Sequence, residues 1–122
     1  MLRRGVGMLC LAGNATTFRF NASTQATELR SYPQPFPAAT TCAWVIHAPP
    51  GQIVVLTVKS ADVRYSDVTY SDGPQLIANE NGYSTFRSSA DHSLTVQVVS
   101  PDGVPAQGSL IASYKAAPAP PA

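Results

Sequence analysis

Charged residues are scarce in this sequence: Asp, Glu, Lys and Arg make up 12% of its 122 residues, and 8 Lys+Arg against 7 Asp+Glu leave a formal net charge of +1. So little charge excludes a chain that is mainly a disordered acidic or basic tail. No basic cluster is visible along the sequence beyond Arg3-Arg4, so nucleic acid is not an expected partner. Apolar runs long enough to cross a bilayer are missing. Helical periodicity and internal repeats are missing as well.

Catalytic signatures are equally sparse. The two histidines, His47 and His92, lie far apart, and neither belongs to a metal-binding spacing. Asp91-His92-Ser93 contains the residue types of a hydrolytic triad. Neighbours on a strand point to opposite faces, however, so they cannot form a relay. There is no Gly-x-Ser-x-Gly elbow and no phosphate-cradling glycine loop. Most carboxylates, including Glu28, Asp72, Glu80 and Asp91, fall in turn-like segments where Asp serves local hydrogen bonds. The expectation is a protein that is not an enzyme and needs no cofactor.

What the sequence does have is apolar material, at 44% of residues, enough for the core of one domain. Short stretches rich in Val, Ile, Thr, Tyr and Phe alternate with period two at residues 17–20, 43–48, 52–59, 67–70, 75–78, 83–87, 92–99 and 109–115. Between them stand turn signals such as Pro49-Pro50-Gly51, Asp72-Gly73-Pro74, Asn81-Gly82 and Pro101-Asp102-Gly103. This spacing predicts an all-β fold, an antiparallel two-sheet β-sandwich of about eight to ten short strands. Alternation places Trp44 and Ile46 on one face of their strand, with Val45 and His47 on the other. Leu94, Val96 and Val98 likewise share a face. The expected core includes Trp44, Leu56, Val58, Leu94, Val96 and Tyr114. His47 and His92 are read as solvated strand residues.

The ends of the chain carry less. Residues 1–9 read as an N-terminal extension or signal remnant, with a basic start and a short apolar stretch. Residues 10–115 form the expected domain. Residues 116–122 are Ala and Pro only and read as a linker that joins a longer protein. The two cysteines, Cys10 and Cys42, make an even count, which favours one disulfide in an oxidising compartment, with two buried free thiols as the other reading. Asn14-Ala15-Thr16 and Asn21-Ala22-Ser23 are candidate N-glycosylation sequons, at Asn14 and Asn21, and lean towards secretion.

Three segments in order carry a resemblance: Tyr32-Pro33-Gln34-Pro35-Phe36-Pro37, then Cys42-Ala43-Trp44-Val45-Ile46, then Ala48-Pro49-Pro50-Gly51. Together they resemble the opening half of a CUB domain. Tyr65 to Gly73, Phe86-Arg87-Ser88-Ser89, Leu94 to Val98 and Gly108 to Tyr114 are similar to its second half, with Ser109 where the family usually has Phe. The resemblance implies a CUB-like jelly roll and an extracellular, non-catalytic module that recognises protein or glycan ligands. Alternatives are a stand-alone carbohydrate binder like the spermadhesins, a nematode-type CUB-like defence protein, or a calcium-dependent accessory domain of a secreted protease. An unrelated β-sandwich enzyme is a further reading.

The sequence departs from the family twice. The second disulfide is absent, with Val63 and Asn81 near the usual cysteine positions. The carboxylates that hold calcium in many CUB domains are largely replaced: Arg64 falls at the usual Glu, Ser66 at the first Asp and Phe36 at the Tyr, leaving Asp102. Hard cations need several oxygen ligands, so the resemblance implies calcium-independent binding, with Asp62, Asp67 and Asp102 as the ligands a shifted register would offer. Arg64 then replaces the cation and pairs with Asp67 or Asp102. The candidate contact residues are Arg64, Tyr65, Ser66, Asp67, Tyr70, Tyr83 and Asp102, on the principle that rigid strands present variable loops.

Overall fold

The computed structural model describes residues 10, 15–30, 39–61, 67–79, 84–100 and 110–120. Nine strands lie among them: β1 (Ala15–Asn21), β2 (Thr27–Arg30), β3 (Thr40–His47), β4 (Gln52–Ala61), β5 (Asp67–Asp72), β6 (Gln75–Asn79), β7 (Ser84–Arg87), β8 (Leu94–Ser100) and β9 (Leu110–Pro118). They form two sheets, one of five strands in the order β1-β3-β8-β5-β6 and one of four in the order β2-β9-β4-β7. The expected sandwich is therefore present, with one correction to its pairing. β1 and β3 run parallel, Phe18 beside Trp44 and Phe20 beside Ile46. The intervening strand β2 belongs to the other sheet. A parallel pair needs such a crossover, and β2 lies within it.

Alternation decides which side chains enter the core. Along β3, Thr40, Cys42, Trp44 and Ile46 are buried while Thr41, Ala43 and Val45 are only partly covered. β8 repeats the pattern with Leu94, Val96 and Val98 inside, and these three stand opposite Ile46, Trp44 and Cys42. β4 supplies Val54, Leu56 and Val58 from the facing sheet, and β9 supplies Leu110, Ala112, Tyr114 and Ala116. Each fully buried Leu, Ile or Val contributes about 1.5–3 kcal/mol of hydrophobic stabilisation. Rings fill the widest space: Phe18 stacks on Trp44, Phe20 lies against Tyr114, and Tyr70 stacks on Phe86 with centroids 4.1 Å apart. All six expected core residues are buried. Cys10 and Cys42 form a disulfide, and both are fully buried beside Trp44 in one cluster.

Several boundaries differ from the sequence reading. β2 was not expected, because Thr-Glu-Leu-Arg buries only Leu29. Its strand state comes from pairing with β9, Leu29 opposite Ala112. β9 runs on to Pro118, so 116–118 belong to the sheet and not to a linker: Val54, Ile53 and Gln52 pair with Ala116, Ala117 and Pro118. Ala116 is buried and donates its N–H to the Ser23 carbonyl at 2.7 Å. Proline is tolerated as the last residue of the strand, where no further ladder bond is required. β8 starts at Leu94, which leaves His92 in the preceding turn.

Candidate recognition site

The strand ends that bracket residues 62–66 and 101–109 share one end of the sandwich. Asp67, the first residue of β5, stands opposite Val99 near the end of β8, and Ala61 at the end of β4 stands opposite Leu110 at the start of β9. Asp67 is exposed there. Arg64, Tyr65, Ser66, Tyr83, Asp102 and the alternative calcium ligand Asp62 lie outside the described residues, as does Asn14. Tyr70 is corrected: its side chain is 1% exposed and stacked on Phe86. It is a core residue, because the even positions of β5 face inward, Val68 alongside it. Asn21 is exposed at the end of β1 beside His47, on an edge strand.

At the opposite end, side chains far apart in sequence form a polar cluster. Asp72 closes β5, and the turn over residues 88–93 leads from β7 in one sheet to β8 in the other. The Asp72 carboxylate accepts the Ser89 hydroxyl at 2.6 Å and the Ser89 backbone N–H at 2.9 Å. His92 Nδ1 lies 3.0 Å from the same carboxylate. An ionised carboxylate only accepts, so Nδ1 carries the proton. Desolvation pushes the Asp72 pKa up, but the bonds from Ser89 and His92 and the charge of His92 outweigh it, and the carboxyl sits below its ordinary value. Just before His92, Asp91 adopts φ +64° and its carboxylate accepts the Gly51 N–H at 2.8 Å. Ser88 completes the turn: its hydroxyl accepts the Val54 N–H, and its own N–H reaches the Val54 carbonyl.

Gly73 has φ +57°, and a Cβ there would come within 3.2 Å of His92 Nδ1. Glycine is thus favoured by the positive-φ backbone, and a side chain there would also press on the imidazole that packs over it. Sequence reasoning placed Asp72, Asp91 and His92 in local turns or on a wet strand. Asp72 meets His92 beside the β5–β8 pairing, and Asp91 meets Gly51 across the turn, so these contacts join distant positions and leave no local signal. The chemistry of the cluster is that of a clamp. Ser, His and Asp are all present, yet both Ser89 and His92 turn to Asp72. In a hydrolytic relay the imidazole would stand between the serine and the acid. Among the described residues no group of three or more His, Cys, Asp or Glu is placed to hold a metal ion. No described helix is long and apolar enough to cross a membrane.

The family model of the CUB domain matches residues 16–107, more than half of the chain. The chain belongs to the CUB domain family. Solved structures agree on the fold. The CUB1-EGF-CUB2 domains of rat MASP-1 superpose with a TM-score of 0.67 at 18% identity, covering 84% of this chain and 43% of that one. The full extracellular region of zebrafish Gpr126/Adgrg6 gives 0.68 at 22% identity, covering 88% of this CUB domain and 15% of that chain. A periplasmic inhibitor of g-type lysozyme, PliG of Aeromonas hydrophila, shares the fold more distantly, with a TM-score of 0.54 at 11% identity, covering 85% of this chain and 100% of that one. This chain therefore spans less than half of the MASP-1 and Gpr126/Adgrg6 structures. No curated protein matches its sequence.

Proposed function

We propose that this CUB domain is a non-catalytic recognition module that works outside the cell as part of a larger protein and binds an extracellular ligand without calcium. The observation that carries the reading is the family match over residues 16–107 on a sandwich closed by the Cys10–Cys42 disulfide, which suits an oxidising compartment. The contact set runs from Arg64 to Asp67 and includes Asp102 and Tyr83. Asp67 is its exposed member among the described residues, and Tyr70 leaves the set because it is interior. Arg64 takes the place of the cation by pairing with Asp67 or Asp102. Asn14 and Asn21 carry N-linked glycans in secreted material.

Isothermal titration with millimolar calcium tests the proposal directly. The expected result is no saturable heat and an unchanged melting temperature, while Arg64→Ala lowers that temperature. Saturable calcium binding with a rise in melting temperature overturns the calcium-free mode. A panel of hydrolase substrates, all left intact, is expected from a module without catalytic machinery. Turnover abolished by Ser89→Ala would instead make the Asp72 cluster an active site.

A further inference from the structure

The four-stranded sheet turns one face to the core and the other outward, and the outward face gathers charge that is scattered along the sequence. Five cationic side chains occur among the described residues, and four of them, Arg30, Lys59, Arg87 and Lys115, stand on this face. The inward neighbours Leu29, Val58, Phe86 and Tyr114 fix that orientation. Glu28 is the only described acid there, bonded to Arg30 at 2.9 Å and sensing the charge of Lys59. Asp67, Asp72 and Asp91 all belong to the other sheet or to the far turn. Lys59, Arg87 and Lys115 are exposed and form no ion pair among the described residues.

Register gives the face its pattern. Ser113, Thr57 and Thr85 are direct cross-strand neighbours on β9, β4 and β7, forming a row of three outward hydroxyls. The next row places Lys115 and Arg87 on either side of Val55, two strand spacings or roughly 10 Å apart. Lys59 stands beyond the hydroxyls at a β-bulge between Val58 and Ser60. A shallow cleft of about 150 Å³ opens within this pattern, lined by Ala26, Val55, Thr57, Ser113, Tyr114 and Lys115.

We propose that this outward face of β9, β4 and β7 is a second binding site, distinct from the loop end, and that it takes a sulfated oligosaccharide. Lys115, Arg87 and Lys59 bind sulfates, and the Ser113–Thr57–Thr85 row bonds to sugar hydroxyls and ester oxygens. Charge complementarity selects an anionic occupant. Among the described residues the outward side chains include no aromatic, so this part of the face offers none of the anchors that dominate protein hot spots. The same described side chains offer no stacking platform for single-stranded nucleic acid.

Surface plasmon resonance of the full chain over a heparin-derived hexasaccharide tests the proposal. The expected result is saturable binding that weakens as salt rises, with affinity at least about tenfold lower in Arg87→Gln/Lys115→Gln. Arg19→Gln, a cation of the opposite sheet, is expected to change affinity less than about twofold. Thr57→Val/Ser113→Ala is expected to lose about threefold or more, since two hydroxyl bonds disappear. These positions are on the surface, and circular dichroism confirms folding of each variant. Absence of binding overturns the site. So does equal binding of the desulfated hexasaccharide, or an equal loss in Arg19→Gln. Polyglutamate bound as tightly as the hexasaccharide overturns the sugar assignment, as does unchanged affinity in the hydroxyl variant. Variants at Arg64 and Asp67 leave this binding intact, so the loop-end site and the sheet face fail independently.

Discussion

The middle of the sandwich and the end that carries the 88–93 turn are held by different forces. In the middle, Trp44, Leu56, Leu94, Val96 and Leu110 are fully buried and the Cys10–Cys42 bridge lies among them. At the end, Asp72 bonds to Ser89 and His92, and Asp91 to the Gly51 N–H, through exposed polar groups of the 88–93 turn that joins the sheets, while Ser88 bonds to Val54 in a buried position. Burial is non-directional and large, so the middle supplies most of the free energy. Hydrogen bonds are directional and individually modest, so the end supplies geometry. It fixes how one sheet hands the chain to the other, at a place where apolar packing has run out.

Trp44→Ala should have the largest effect. It removes the biggest buried side chain, and urea unfolding is expected to show a loss of about 3–5 kcal/mol. Next comes Cys10→Ser/Cys42→Ser. The bridge closes a sequence separation of 32 residues, and its removal is expected to cost about 3–4 kcal/mol by constraint of the unfolded chain. Reductant alone should reproduce this shift in the native protein. Asp72→Ala is expected to cost about 0.5–1.5 kcal/mol, because Ser89 and His92 lose their shared acceptor while water takes up the exposed donors. A loss equal to that of Trp44→Ala would erase the distinction between the two regions.

Acid sharpens the same contrast. The Asp72 pKa is lowered in the folded protein. Such a group contributes stability that is fully present above its unfolded value of about 4 and is lost as pH falls through the lower folded value. Stability of the native chain should therefore decline below about pH 4, and Asp72→Asn should remove the part of that decline due to this carboxyl. Denaturant midpoints measured across pH 2–6 decide it. The smallest effect is expected from Glu28→Gln. Glu28 and Arg30 pair on one exposed strand, and that pair links no separate elements. No measurable change in melting temperature is the expected outcome.

The contrast also explains how far the sequence could be read. The middle was legible because each core strand repeats one short local pattern. Trp44, Ile46, Leu94 and Val96 declare their faces through alternation alone. Strand β2 was not legible, since one buried Leu29 in four residues makes no period. The last three residues of β9 are hidden as well, because Ala and Pro offer no polar contrast to alternate. The cationic sheet face escaped for a related reason. Arg30, Lys59, Arg87 and Lys115 are isolated in sequence, and only the β2-β9-β4-β7 order brings them onto one surface. Tyr70 reads as a contact because its adjacent residues Thr69 and Ser71 are polar, whereas its alternation with Val68 turns it inward onto Phe86.

By itself, then, the sequence determined the class of fold, the inward face of the main strands and the family, because these rest on local period and on ordered motifs around Cys42 and Trp44. Tertiary structure alone decided that β1 runs parallel to β3, that Asp72 clamps Ser89 and His92, and that four lone cations share one face. The physical reason is the same in each case. Pairing order and contacts between sheets depend on residues tens of positions apart, and no local pattern encodes which of them will meet.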